Sequence, residues 1–451
     1  MAGARGGAGG KGRPPKSSGG PGKPSGGPSK SSGASRKPSG GPAKPSGAPG
    51  KPSGGPRKPS GGPPKPGGRP AARPTGPSHG APLLRATEAF VSVHPGLEKL
   101  LAAELSELDV DCEIEEGGVL IAATQRALAR VHVGSRIAGR VLVRVGEFRA
   151  INLEELAARV KQLPWRALGE SGQPVEVEAS CQNSRMRFRE LVAEKTRLAV
   201  IDGLRGPRLS VMPPSKTPLG VHVRLVDDVA TISVDASGER LHMRGWREAT
   251  AKAPLRENLA AAVLRSAGWR PGIPLVDPMC GAGTFPIEAA RQAAGLSPRL
   301  GWSYPCARWS DRNPAAWAEA ERAIATAVAT PILAADRDPG AVRATTGNAQ
   351  RAKVGDKVKI LTSPLEELDP PSAKGLLIAN LPYGQRVADG ADLDGMYARW
   401  GHVLRERWTG WRCAFLAADP RKLGRLDRRI EIVLRFENGG TPVVVGVLPE
   451  A

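Results

Sequence analysis

The sequence predicts an α/β chain: a doubly wound, Rossmann-like domain in the C-terminal half, an α+β region before it, and a leading segment with no core of its own. Three observations carry this reading. Two largely apolar runs end in an acid and lead into helical patterns: Leu275-Val276-Asp277, and Thr330 to Ala335 followed by Asp336. A third apolar run, Gly375-Leu376-Leu377-Ile378-Ala379, opens into Asn380-Leu381-Pro382-Tyr383-Gly384. Residues 1–86 repeat Lys-Pro-Ser-Gly-Gly-Pro with small variations, as at Lys23 to Pro28 and Lys37 to Pro42.

The leading segment has almost nothing apolar to bury, so it cannot offset the entropy of ordering and is expected to be disordered. It also dominates the charge. Of the formal net +21, sixteen Lys or Arg lie in residues 1–86, which contain no acid, leaving +5 for the rest of the chain. Spaced cations on a flexible chain suit phosphate contact with little sequence preference. A solubilising tail is the plainer alternative.

The remaining residues exceed one typical domain. Phe90 to Val93 reads as a strand, and Gly96 to Leu108 as an amphipathic helix with Leu97, Leu100, Leu101, Leu105 and Leu108 on one side. Gly118 to Ala122 and Arg140 to Val145 read as further strands around a helix from Arg126 to Val133. A helix over Leu153–Leu163, a strand over Pro174–Ala179, a helix over Glu190–Leu204 and paired strands over Gly220–Val226 and Ala230–Asp235 come next. Arg185, Arg187 and Arg189 alternate with Met186 and Phe188 in an expected basic loop, a candidate RNA contact or simply a solvated loop before a helix.

The chemistry concentrates at three strand ends. After Asp277 comes Pro278-Met279-Cys280-Gly281-Ala282-Gly283-Thr284, then a helical run from Phe285 to Ala294. Glycines let backbone approach a ligand, and a helix start offers free N–H groups. The pattern is not the dinucleotide fingerprint, because Pro286 stands where a third glycine would be. A carboxylate at Asp336 can bond a pair of ribose hydroxyls; the alternative is a cap for the helix predicted from Pro339 to Ala349. The Asn380 side chain and the Leu381 carbonyl can accept hydrogen bonds from an exocyclic amine, and Tyr383 can stack on its base. Asn and Pro are also common in ordinary turns.

Taken in this order, the motifs resemble those of the THUMP-domain class I RNA methyltransferases. The chain is most similar to the methyltransferase half of the bacterial large-subunit rRNA guanine-N2 enzymes. The resemblance runs from about Ala89 nearly to the C-terminus. It is carried by Leu241 to Arg247, Ala253 to Ala261, the Asp277 to Thr284 loop, the Asp336 region and Asn380 to Arg386. It implies a Rossmann-like methyltransferase domain over residues 239–451, a ferredoxin-like subdomain over 87–150 and a THUMP domain over 151–238. It also implies S-adenosylmethionine as cofactor, RNA as partner and transfer to the N2 amine of a guanosine. Asp277, Cys280, Gly281, Gly283 and Thr284 would hold the methionine part and Asp336 the ribose. Pro254, Glu257 and Asn258 would close over the methionine end. Asn380, Leu381, Pro382 and Tyr383 would hold the base. Two positions depart from the family pattern. Leu381 replaces a usual Pro, and Pro364 replaces a usual Asp that receives the adenine amine, leaving Ser363 or Glu366 as candidate substitutes.

Five scattered cysteines without a Cys-x-x-Cys pair point to a reducing compartment and no metal site. No apolar stretch is long enough for a membrane span, and a cytoplasmic location is expected. Ribosomal RNA is the expected substrate and transfer RNA the nearest competitor. Adenine-N6 methylation of DNA uses the same Asn turn, and a non-catalytic RNA-binding or ribosome-assembly protein is the reading from a different class.

Overall fold

Two seven-stranded sheets carry the chain. The structure is a computed structural model that describes residues 87–206, 216–248, 255–301, 303–324, 326–383 and 392–450. The basic tail, Pro254 and residues 384–386 lie outside the described residues.

The first sheet begins with β1 (Glu88–Ser92), α1 (Glu98–Glu107), β2 (Cys112–Glu115), β3 (Gly118–Ala122), α2 (Gln125–Gly134) and β4 (Arg140–Arg149). It continues through α3 (Leu153–Lys161), α4 (Trp165–Leu168), β5 (Val175–Gln182), α5 (Arg189–Gly203), β6 (Leu219–Val226) and β7 (Val229–Asp235). The strand order is β2-β3-β1-β4-β7-β6-β5, with only β5 and β6 parallel. The apolar alternation stops at Val145, yet β4 runs on to Arg149 because it pairs with β7 from Leu142 to Arg149, shifting register between Arg144 and Gly146. Its first residues pair with β1, so β4 joins both halves of the region into one sheet. Strand β2 has no sequence signature: Cys-Glu-Ile-Glu is short and half acidic, and it forms at the sheet edge because β3 offers a partner. Helices α1, α3 and α5 bury Leu101, Leu105, Leu156, Val160, Val192 and Val200. Each such burial contributes about 1.5–3 kcal/mol.

The second sheet is built from α6 (Glu257–Ser266), β8 (Leu275–Asp277), α7 (Thr284–Ala293), α8 (Pro314–Arg322), β9 (Ile332–Asp336), α9 (Pro339–Arg351) and β10 (Lys359–Thr362). It is completed by β11 (Gly375–Asn380), α10 (Leu393–Arg407), β12 (Trp411–Ala417), α11 (Pro420–Leu426), β13 (Glu431–Asn438) and β14 (Thr441–Leu448). The order is β10-β9-β8-β11-β12-β14-β13, parallel from β10 to β12 and antiparallel at β14 and β13. The chain winds outward from β8 to β10, then returns to lay β11 on the other side of β8. The strand order therefore reverses between β8 and β11, where open α/β sheets form a ligand crevice beyond the carboxyl ends of the strands.

Buried polar contacts couple the two regions. Asn258 Nδ2 donates to the Ile137 carbonyl at 3.2 Å, and the Tyr304 hydroxyl donates to the His132 carbonyl at 2.8 Å. His132 Nδ1 donates to Leu128 O at 2.7 Å, so its other ring nitrogen accepts from Ser237 Oγ at 3.1 Å.

Candidate active site

Strand β8 ends at Asp277, whose Oδ1 accepts from Met279 N at 3.1 Å and turns the chain sharply. The next loop has two left-handed glycines, Gly281 at φ +56° and Gly283 at φ +85°. They are needed for different reasons. A Cβ on Gly283 would meet Thr345 Cγ2 at 2.8 Å, whereas the space beside Gly281 is open. Two side chains of α9 hold the loop by its carbonyls: Thr345 Oγ1 donates to Gly281 O at 2.9 Å and Asn348 Nδ2 to Ala282 O at 3.0 Å. Neither was signalled by the sequence, because both look like ordinary polar residues of a helix.

Asp336 stands one strand away at the end of β9. Its Oδ2 accepts from Gly281 N at 3.0 Å and its Oδ1 from Asp338 N at 3.0 Å. The cap of α9 is Asp338, which accepts from Gly340 N at 2.8 Å. Asp336 is therefore not used as the helix cap. Burial raises the Asp277 carboxyl well above its ordinary range, and the nearby Asp336 adds to the shift. Cys280 is buried and its thiol is likewise pushed well up, chiefly by burial, so it is held as a neutral thiol rather than a nucleophile.

Asn380 closes β11 on the other side of β8. Its Oδ1 is buried and has no hydrogen-bond partner. Leu381 is fully buried and donates its N–H to Leu416 O at 3.0 Å. That side chain faces the core, where Leu serves as well as Pro.

Together these strand ends wall a cleft of about 570 Å³ lined by Asp277, Met279, Cys280, Gly281, Thr284, Asp336, Asn380 and Pro382, with Arg247, Leu255, Phe285 and Asp338 on the same wall. Several expected residues are placed elsewhere. Asn258 turns to the first region through its bond to Ile137 O. Glu257 is buried and accepts from Arg247 Nε at 2.7 Å, reaching the cleft only through that arginine. Tyr383 packs its ring against the core and accepts from Asn438 Nδ2 at 2.7 Å. Gly283 underlies the loop without lining the cleft. Ser363 donates its hydroxyl to the Pro364 carbonyl, and neither it nor Glu366 lines the cleft.

The arginine stretch after β5 is a separate feature. Arg185 and Arg187 share a second concavity of about 560 Å³ with Cys181, Asn183, Ser184 and Asp228. Arg185 lies against Asp228, its backbone N–H donating to Oδ1 at 2.8 Å. Arg189, expected in the loop, is instead the first residue of α5 and pairs with Glu190 at 2.9 Å. The helix starts one residue earlier than its apolar pattern suggests, because the first turn needs no buried side chain. No group of metal-ligating side chains is found among the described residues, and no described helix is long and apolar enough to cross a membrane.

A glycine loop, an acid one strand over and an orphaned amide oxygen at the switch point define a class I methyltransferase by fold and site. Comparison with known proteins narrows this. Residues 244–435 match the family described as the RMKL-like methyltransferase domain, and residues 88–142 match the RlmL ferredoxin-like domain. A Synechocystis protein named provisionally as an RNA methyltransferase is 29% identical over 361 residues, 78% of this chain and 94% of that protein. The solved structure of SMU.472, provisionally a methyltransferase and bound to S-adenosylhomocysteine, shares 26% identity at a TM-score of 0.72, covering 81% of this chain and 98% of that one. A Listeria monocytogenes structure named provisionally as an N6-adenine-specific DNA methylase shares 24% identity at a TM-score of 0.69, covering 80% and 95%, a likeness of fold. Residues 244–435 are thus similar to an RMKL-like methyltransferase domain, preceded in the sequence by a stretch similar to the RlmL ferredoxin-like domain, and S-adenosylmethionine is the methyl donor.

Proposed function

We propose that this chain methylates the exocyclic N2 amine of a guanosine in RNA, with large-subunit rRNA as the substrate. The observation that carries the reading is the buried, unpartnered Oδ1 of Asn380, on the wall of the cleft that Asp277, Gly281 and Asp336 also line. A desolvated acceptor without a donor costs about 1–3 kcal/mol. Here it is set aside for a donor that arrives with the substrate. The relative named as an RNA methyltransferase supports RNA as the substrate class.

When bound, S-adenosylmethionine supplies an electrophilic methyl group on a sulfonium. Asp336 suits the ribose, and Gly281 with Thr284 suits the methionine part. An aryl amine is a poor nucleophile because its lone pair is delocalised into the ring. Asn380 Oδ1 and the Leu381 carbonyl accept its two N–H bonds and turn the lone pair toward the donor. Holding the two reactants in line supplies most of the acceleration. The surplus proton leaves from the amine to water, and no protein base is required. The target base leaves its stack to enter the cleft. Residues 151–238 act as the THUMP domain and, with Arg185 and Arg187, grip the RNA in a cytoplasmic enzyme.

The test is mass spectrometry of nucleosides from purified large-subunit rRNA, tRNA and DNA, with and without the gene. Loss of N2-methylguanosine from rRNA alone is the expected result. Its loss from tRNA instead moves the substrate class. Loss of N6-methyladenine from DNA, or no change in any pool, overturns the proposal.

A further inference from the structure

The described residues lining the cleft include three carboxylates, Asp277, Asp336 and Asp338, and a single cation, Arg247. Arg247 was not marked as a site residue by its sequence, yet the fold holds its guanidinium on three sides. Nε donates to Glu257 Oε1 at 2.7 Å, while Nη2 donates to Leu255 O at 3.1 Å and to Thr284 Oγ1 at 2.9 Å. The guanidinium carbon lies 5.1 Å from the centre of the Trp246 ring. The third nitrogen, Nη1, is buried and has no hydrogen-bond partner. Thr284 is the first residue of α7, so this nitrogen sits near a helix N-terminus that also favours negative charge.

We infer that Arg247 takes the carboxylate of the cofactor's methionine moiety. The cofactor has one anionic group at this end, beside an ammonium and a sulfonium. Three wall carboxylates suit the two cations and repel the anion. Among the described residues, Arg247 is the one side chain of opposite sign on the wall, and its Nη1 has no hydrogen-bond partner and is left for a carboxylate oxygen. Glu257 is a positioning residue that fixes the fork through Nε. This inference rests on the cleft holding S-adenosylmethionine, and the test separates the two ideas.

The experiment is calorimetric binding of S-adenosylhomocysteine and of its decarboxylated analogue to the wild-type chain, Arg247→Met and Arg247→Lys. For the wild type, loss of the ligand carboxylate weakens binding roughly tenfold or more, the scale of a charge-assisted hydrogen bond. In Arg247→Met the two ligands bind within about threefold of each other, because the partner is gone. In Arg247→Lys, which keeps the charge without the fork, the difference is intermediate. Equal discrimination in wild type and Arg247→Met overturns the inference, as does a wild type indifferent to the carboxylate. If Arg247→Met does not fold, discrimination by Arg247→Lys as strong as the wild type's overturns it. Failure of the wild type to bind either ligand rejects the cofactor site itself.

Discussion

The guanidinium of Arg244 and the carboxylate of Glu288 form an ion pair inside the protein, Nε to Oε1 at 3.1 Å, with side-chain exposures of 0% and 1%. Arg244 also donates to Leu241 O at 2.6 Å and to Arg136 O at 2.5 Å. Arg136 lies 3.7 Å from the second Glu288 oxygen, and burial pulls its guanidinium down to about 10. One carboxylate on α7 thus balances two arginines, one of them just past the end of α2. Replacing Glu288 with Gln leaves Arg244 desolvated without its carboxylate and Arg136 with only the weaker attraction of Glu104. The expected loss is about 3–5 kcal/mol by urea unfolding, larger than that of an Arg244→Met, Glu288→Leu double variant. A loss under about 1 kcal/mol, the value of an exposed pair, would refute this.

Asn380→Ala removes the acceptor and leaves the cofactor wall standing. Turnover is expected to fall by a factor on the order of 10²–10³, while affinity for S-adenosylhomocysteine stays within about threefold. Single-turnover methylation of bound RNA, with calorimetry alongside, reads both numbers. A variant that loses cofactor affinity and retains turnover would place Asn380 in the wrong role.

Asp277 lowers stability at neutral pH in favour of the site. Its raised carboxyl means the folded chain keeps a proton that the unfolded chain releases near pH 3.9. Stability therefore falls as pH rises from that value through the folded-state pKa, and the cost is complete above it. Asp277→Asn retains the oxygen that accepts from Met279 N and removes the charge. The cofactor-free variant should match the wild type in melting temperature near pH 4 and exceed it by a few degrees at pH 8. A difference that does not change with pH would contradict the assignment.

His132 works in the opposite direction. It is fully buried, and burial lowers its ring to about 4. The unfolded chain takes up a proton near pH 6.5 that the folded chain refuses, so stability is lost as pH falls from 6.5 through 4. The full effect is about 3 kcal/mol. His132→Asn, which keeps a donor for Leu128 O, should flatten the dependence of urea midpoints between pH 7 and pH 4.5. His242 and His222 are lowered in the same direction, chiefly by burial, and contribute to the remaining slope. An unchanged slope in the variant would show that His132 titrates freely.

The strand ends were legible because in a parallel sheet buried strands read as continuous apolar runs, and the residues after each run must sit at one edge. Asp277, Asp336 and Asn380 needed only that rule to be brought together. The same logic had no hold on Cys112 to Glu115, which is a strand only because β3 has an open side. Nor could it extend β4 past Val145, since Gly146 to Arg149 are ordered by β7, some eighty residues on in the chain.

The sequence alone determined the apolar strands that end at the site, the glycine loop, and the types of residue at the mouth of the doubly wound sheet. Periodicity and turn chemistry are local properties, and they are written residue by residue. Tertiary structure decided which way the side chains point. It sent Asn258 to Ile137 and tied Tyr383 to Asn438. It set Thr345 and Asn348 against the loop carbonyls and brought Arg247 to the cleft wall. Those choices depend on which distant donor or acceptor a folded neighbour leaves unsatisfied, and a buried polar group must find a partner wherever the packing puts one.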